Sequence, residues 1–460
     1  MLNEADTRAK LIDPQLHKAG WKEEFILRDR YITKGEIYLA GEEARRKEKK
    51  KPDYILLYPQ SFPLAIVEAK DESSSPMDGL QQAKEYAQML DTPFAYSTNG
   101  HGIEEFDFTT NIQSSLTHFP SPAELWARYR TKEQGRLREP PPSYETDLLS
   151  HPLTYPYYFE PGGKSPYYFQ EVAIKKVIEA ILEGKNRILL AMATGTGKTY
   201  IAFQIVWKLK KSGYLKRPIL YIADRIFLRD QAHREFAPFG EAREFIEEGR
   251  APKNREIYFS MYQSLYSERE EKRLYQEYPP DFFDLVIIDE CHRSGFGTWF
   301  EILQHFKDAV HLGMTATPKR DDNIDTYAYF GQPVYSYSLG EGISDGFLAP
   351  YQIFRFFTNI DKEGLHLSEA LFQGAQIYVP EESNLKELYT LEDFEREIVV
   401  PDRTKVICEH LAGLLKTFNP RERTIVYCVS SDHAAQVAKE LQNHFAYPVS
   451  YTHLTLPTKA

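Results

Sequence analysis

Residues 192–199 read MATGTGKT, and Thr194, Gly195, Thr196, Gly197, Lys198 and Thr199 have the types and spacing needed to hold a nucleoside triphosphate. Glycines at 195 and 197 let the backbone curl until successive N–H groups face phosphate oxygens, and the helix that follows adds its positive end. Lys198 then reaches the outer phosphates, and the Thr199 hydroxyl is placed to hold Mg²⁺. Met192 stands where the strict phosphate-loop pattern has its first glycine. A second acidic element, DECH at 289–292, follows the apolar run LVII. An aspartate at a strand's C-terminal end (Asp289) suits Mg²⁺, and the adjacent Glu290 can orient and activate an attacking water.

A different chemistry is written nearer the N-terminus. KPDY at 51–54 and VEAK at 67–70 place Asp53 fifteen positions before Glu68, with Lys70 two further on. The period of a strand puts Glu68 and Lys70 on one face. Two carboxylates bind a hard cation such as Mg²⁺ and a neighbouring ammonium can stabilise the charge of a phosphodiester under attack. Glu4, in the first amphipathic segment, is a candidate further acidic member.

These residues need elements to position them. DYILLY (53–58) and LAIVEA (64–69) read as strands, and 78–90 as a helix with Leu80, Ala83, Ala87 and Leu90 on one stripe, within a mixed α/β unit over 1–130. The Pro/Gly-rich stretches 135–145 and 160–166 mark a connector over 131–165. A helix is expected over 171–183. Thereafter RILLAMA (187–193), PILYIA (218–223), EIYFS (256–260), DLVIID (284–289) and VHLGM (310–314) alternate with polar or helical stretches. Short, wholly apolar strands in that arrangement predict a parallel sheet covered on both faces, over 166–345. One further such strand, TIVYC at 424–428, is expected in a last region, 346–460, followed by a helix with Ala434, Val437, Ala438 and Leu441.

The ATP-binding half resembles the superfamily 2 helicases and translocases of the DExH type. YFQEVAI (168–174) resembles their glutamine motif, which implies that Gln170 reads adenine. MATGTGKT is motif I; LYIADRIFLRDQA (220–232) and IYFSMYQSL (257–265) resemble the DNA-backbone segments Ia and Ib; DECH, completed by His292, is motif II. GMTATP (313–318) matches motif III, where Thr315 and Thr317 would couple nucleotide state to DNA grip, and RTIVYCVSSDHA (423–434) resembles motif IV of a second RecA-like domain. In the family, motifs V and VI follow and supply an arginine to the ATP site. The tail YTHLTLPTKA (451–460) is unlike that continuation.

The N-terminal unit resembles the PD-(D/E)xK nucleases, down to the proline before Asp53. Gln82 and Tyr86, four apart on one helical face, resemble the QxxxY element of the RecB-like members. A nuclease of this type fused N-terminally to a DExH motor resembles the restriction subunit of type I restriction enzymes. That resemblance implies an α/β chain with a nuclease domain, a RecA-like ATPase domain and part of a second. It implies ATP and Mg²⁺ as cofactors, double-stranded DNA as substrate, and separate methylation and specificity subunits as partners. ATP-driven pumping of DNA then precedes cutting of unmodified DNA. The alternative is a stand-alone superfamily 2 repair helicase whose N-terminal unit only binds DNA.

Composition sets outer limits. The 460 residues carry 56 Lys/Arg against 67 Asp/Glu, a net charge of −11, yet Arg45, Arg46, Lys47, Lys49, Lys50 and Lys51 crowd into one run. That run fits a solvated loop as well as a phosphate-binding surface. Cys291, Cys408 and Cys428 make no CxxC pair or zinc spacing, which fits a reducing cytoplasm. No apolar run approaches the ~20 residues of a membrane helix.

Overall fold

The computed structural model describes residues 2–40, 43–59, 61–142, 145–247, 249–266, 273–293, 300–318, 320–321, 324–379, 385–418 and 423–445. The chain divides into two compact units, 1–350 and 351–460.

Beside two two-stranded sheets at Ile37–Ala40/Glu43–Arg46 and Arg320–Asp321/Ile324–Asp325, the first unit holds two large ones. The N-terminal one has six strands that lie side by side in chain order: β1 (Ile26–Arg28), β2 (Tyr54–Leu57), β3 (Pro63–Ala69), β4 (Phe94–Thr98), β5 (Ile103–Asp107) and β6 (Ile112–Leu116). All neighbours are antiparallel except β3 and β4. A parallel pair needs a crossover, supplied here by the helix Leu80–Met89. That helix buries Leu80, Ala83, Tyr86 and Ala87, the last three in one cluster with Ile55, Ile66 and Ala95 of the sheet. The opposite face takes Tyr54, Leu56, Val67 and Tyr96 into a cluster with Ile12 and Leu16 of the N-terminal helical segment, with Trp21 just beyond it and with Trp126. Covered on both sides, β2 and β3 are apolar nearly throughout, as their sequences anticipated.

The second sheet has seven parallel strands: β7 (Arg187–Met192), β8 (Ile219–Ala223), β9 (Arg243–Phe245), β10 (Ile257–Met261), β11 (Leu285–Asp289), β12 (Val310–Thr315) and β13 (Tyr335–Tyr337). Their spatial order is β9-β10-β8-β11-β12-β7-β13. The five apolar runs read from sequence are its central strands. Strands β9 and β13, three residues each at the two edges, are too short to show a periodicity. The order has a functional consequence. Strand β12 separates β7, which runs into the phosphate loop, from β11, which ends at Asp289, so all three C-terminal ends open on one edge, where open α/β sheets bind ligands.

The connector is folded rather than loose. Leu137, Leu148 and Leu153 are buried. The Trp126 indole N–H donates to the Pro142 carbonyl at 2.9 Å, and the Gln204 amide bridges both backbone groups of Tyr158 at 2.9 and 3.1 Å.

In the second unit the helices Pro401–Thr417 and Ser431–His444 pack through Cys408, Ala412, Val437 and Leu441. The expected strand 424–428 is not formed: these residues are irregular, with Ile425 78% and Tyr427 91% exposed. An inner parallel strand needs neighbours on both sides for its N–H and C=O groups, and among the described residues none runs alongside it. The tail 451–460 lies outside the described residues. Among the described residues no helix is long and apolar enough to cross a membrane.

Candidate functional sites

Strand register builds the first site. Tyr54 pairs with Val67, so Asp53 lies opposite Glu68 across the β2–β3 ladder. Each carboxylate accepts from the other strand's backbone: Asp53 Oδ2 from the Ala69 N–H at 2.8 Å, and Glu68 Oε1 from the Asp53 N–H at 3.3 Å. Both are buried, Glu68 at 2% exposure. Burial first, and then the Asp53 charge, push the Glu68 carboxyl up to about 8, the mark of two carboxylates sharing a dry site.

Lys70 leaves the end of β3 toward the crossover helix, its Nζ 3.5 Å from Gln82 Oε1, while Gln82 Nε2 donates to the Tyr86 hydroxyl at 3.2 Å. Gly79, just before that helix, shows how closely the parts meet. A Cβ there would fall 2.8 Å from Lys70 Cε, 3.2 Å from Glu68 Cβ and 2.6 Å from Ser97 Oγ. Glu68 and Lys70 therefore do share a face, and Ser97, paired with Glu68 across β3–β4, brings a buried hydroxyl without a hydrogen-bond partner.

Glu4 is exposed and does not join this group. One turn later on the same segment, Arg8 does. Its Nη1 lies 3.1 Å from Asp53 Oδ1 and 3.0 Å from Asp29 Oδ1, its Nη2 2.9 Å from Asp29 Oδ2, and the guanidinium sits 5.0 Å from the Tyr54 ring centre. The Arg8 hydrogen bonds, with Lys51 assisting, hold the Asp29 carboxyl well below the usual carboxylate range. No motif flags Arg8 or Asp29. Among the described residues no third acid, His or Cys completes a metal cluster with Asp53 and Glu68. Two carboxylates with water or phosphate oxygens making up the rest is the donor set Mg²⁺ prefers, and the paired buried acids fit such an ion.

At the second site the loop after β7 carries Gly195 at φ 86° and Gly197 at φ 83°, values only glycine adopts without strain. A side chain at 197 would also meet Gln170 Nε2 at 2.7 Å. The Gln170 amide braces this loop, donating to the Thr196 carbonyl at 2.8 Å and accepting from the Tyr167 N–H at 2.9 Å. Thr196 Oγ1 donates to the Ala193 carbonyl at 2.6 Å, and Thr194 is exposed at the loop's crest. Lys198 Nζ reaches the Met192 carbonyl at 3.3 Å and Glu290 Oε1 at 3.7 Å, so the two motifs face each other across the sheet edge.

Asp289 is buried, and burial raises its carboxyl. Its Oδ2 accepts from the Tyr221 hydroxyl at 2.9 Å, and the same hydroxyl hydrogen-bonds Thr199. Tyr221 thus stands between the two candidate Mg²⁺ ligands, in a strand read only as apolar. A tyrosine in a wholly buried strand needs a hydroxyl partner, and that was the available signal. Glu290 has a left-handed backbone, φ 50°, a strained conformation of the kind found at working sites. His292 Nδ1 lies 3.3 Å from Glu290 Oε2 and 2.8 Å from Thr315 Oγ1, which also accepts the Thr317 N–H at 3.1 Å. Motif III is thereby tied to motif II through one imidazole.

The family described as "Type III restriction enzyme, res subunit" matches residues 163–320. The chain is similar to the type I restriction enzyme EcoAI endonuclease subunit of Escherichia coli, 39% identical over 96% of this chain and 54% of that protein. It is also similar to the EcoKI endonuclease subunit of Escherichia coli strain K12, 28% identical over 78% of this chain and 32% of that one. It therefore spans about half or less of the length of these relatives. A solved fragment described as an HsdR subunit of a type I restriction enzyme from Vibrio vulnificus YJ016 superimposes with a TM-score of 0.75 at 40% identity, covering 96% of this chain and 74% of that one. With a relative this similar along nearly its whole length, and with a helicase-type sheet beside a second acidic site, the chain belongs to the endonuclease subunits of the type I restriction enzymes.

Proposed function

We propose that the chain is the nuclease-and-motor portion of a DNA-pumping restriction enzyme. It uses ATP to translocate double-stranded DNA and cuts unmodified foreign DNA at a separate Mg²⁺ site, in the cytoplasm, together with methylation and specificity subunits. The observation that carries this reading is the continuous set Asp53, Glu68, Lys70, Gln82 and Tyr86, joined through the β2–β3 ladder and the crossover helix. A DNA-binding module would have no need of two carboxylates forced together out of water.

In this reading Asp53 and Glu68 hold Mg²⁺, which supplies Lewis-acid polarisation of the scissile phosphodiester. Lys70, steered by Gln82, places its ammonium where charge develops on the phosphorus oxygens. Arg8 holds the Asp53 carboxylate in position from the far side. In the motor, Lys198 stabilises the transferring phosphoryl group, and Thr199 and Asp289, aligned by Tyr221, are the Mg²⁺ ligands. Glu290 orients the attacking water. Residues 1–130, 166–345 and 346–460 serve as nuclease, first RecA-like domain and part of the second. The test is cleavage of unmodified closed-circular DNA by the full-length subunit assembled with its partners, with and without ATP. Cleavage only with ATP is expected; no cleavage under either condition rejects the reading.

A further inference from the structure

Six of the seven residues 45–51 are Lys or Arg in a chain of net charge −11, and the structure holds that run in place. The Lys50 N–H donates to Thr33 Oγ1 at 2.8 Å, and the Lys50 carbonyl accepts from the Ile32 N–H at 3.0 Å. The run leads straight into β2, with Lys51 two residues before Asp53. Residues 45–50 are all exposed.

Successive side chains diverge. Lys49 and Lys51 flank Tyr31, their Nζ atoms 5.0 and 5.8 Å from its ring centre, and Tyr31 is itself 60% exposed. Lys50 turns the other way, its Nζ 3.6 Å from the sulfur of Met89, the last residue of the helix carrying Gln82 and Tyr86. Lys51 and Lys47 are neutralised by Asp29 at 2.8 Å and Glu36 at 2.6 Å. Lys49 and Lys50 pair with no carboxylate among the described residues. Two exposed, uncompensated ammonium groups and an aromatic face thus stand on the segment that leads into the strand of Asp53. At ~3.3 Å per residue, Lys49 lies ~13 Å along the chain from Asp53, about four phosphates along one strand of a duplex.

We infer that Lys49, over the Tyr31 ring, and Lys50, at the Met89 end of the crossover helix, grip the phosphate backbone of duplex DNA a few nucleotides from the bond placed at Asp53 and Glu68. The grip reads charge and not base sequence. The inference rests on the nuclease reading above.

The test is the salt dependence of binding of a short duplex to the 460-residue chain, followed by fluorescence anisotropy. Each lost phosphate contact lowers the slope of log K against log salt by ~0.9. Lys49→Gln/Lys50→Gln should therefore lower it by about 1.8, with the thermal midpoint unmoved, while Lys49→Arg/Lys50→Arg keeps it. An unchanged slope in the Gln pair overturns the inference, as does binding to anionic lipid vesicles that the pair loses in place of DNA binding. Asp53→Ala separates the two readings. Retained cleavage in Asp53→Ala rejects the nuclease assignment, whereas the slope in the Lys pair judges the grip alone.

Discussion

Arg8 Nη1 stands 3.1 Å from Asp53 Oδ1 while the same guanidinium engages Asp29 with both nitrogens. The N-terminal helical segment is thereby fastened to the residue that opens the proposed nuclease site. Arg8→Ala removes the cation that pairs with the buried Asp53 carboxylate at 3.1 Å and leaves that acid uncompensated. We expect cleavage to fall at least about tenfold by loss of positioning, with the acid limb of its pH profile moved to higher pH and ATP hydrolysis kept. Arg8→Lys keeps the charge without the fork and should restore the pH profile more than the rate. An Arg8→Ala enzyme with wild-type rate and pH profile would leave Arg8 a purely structural residue.

Glu68 makes the metal-free protein sensitive to pH. Its carboxyl keeps its proton up to about 8, whereas an unfolded glutamate releases it near ~4.3. Between those values the native state binds more protons, so stability is greatest on the acid side and falls as pH rises, by several kcal/mol once Glu68 ionises. With a chelator present, the thermal midpoint of the wild type should fall between about pH 5.5 and about pH 8.5 more steeply than that of Glu68→Gln. Parallel curves for the two proteins would mean that Glu68 is not held protonated.

His292 joins Glu290 to Thr315. Thr315→Val preserves shape and removes the hydroxyl, so nucleotide affinity should stay within about threefold, the range of a contact not made to the ligand, while stimulation of ATP hydrolysis by DNA is lost. Full stimulation in Thr315→Val would place the coupling elsewhere.

The parts legible in the sequence were those whose signal is local. RILLAMA and DLVIID are apolar because both faces of β7 and β11 are covered, and the helix before β7, expected over 171–183, runs Tyr168–Leu182, three residues earlier at its start. Asp53, Glu68 and Lys70 were legible because antiparallel register and strand period convert spacing into adjacency. Contacts made across the fold carried no such signal. Arg8 meets Asp53 from 45 positions away, and Tyr221 meets Asp289 from 68. The connector looked like punctuation because proline and glycine hide the apolar anchors Leu137, Leu148 and Leu153. TIVYC shows the converse: its composition suits an inner strand, but a strand forms only where neighbours accept its hydrogen bonds.

Lys198→Ala should abolish ATP hydrolysis, since removing one such charge stabiliser costs ~10²–10³ in rate, and it should abolish cleavage too although Asp53, Glu68 and Lys70 are untouched. In the proposed cycle cutting follows pumping. Assembled enzyme with Lys198→Ala that cuts unmodified plasmid at the wild-type rate would refute gating of the nuclease by the motor.

The most direct test of two separate centres is to measure phosphate release and DNA cleavage side by side in assembled enzyme carrying Asp53→Ala, with Glu68→Ala and Lys70→Ala as companions. The expected result is DNA-stimulated ATP hydrolysis at the wild-type rate with cleavage reduced to background in all three. Correctly folded variants that keep cutting, or that lose both activities together, would contradict the assignment of Asp53, Glu68 and Lys70 as an independent nuclease centre.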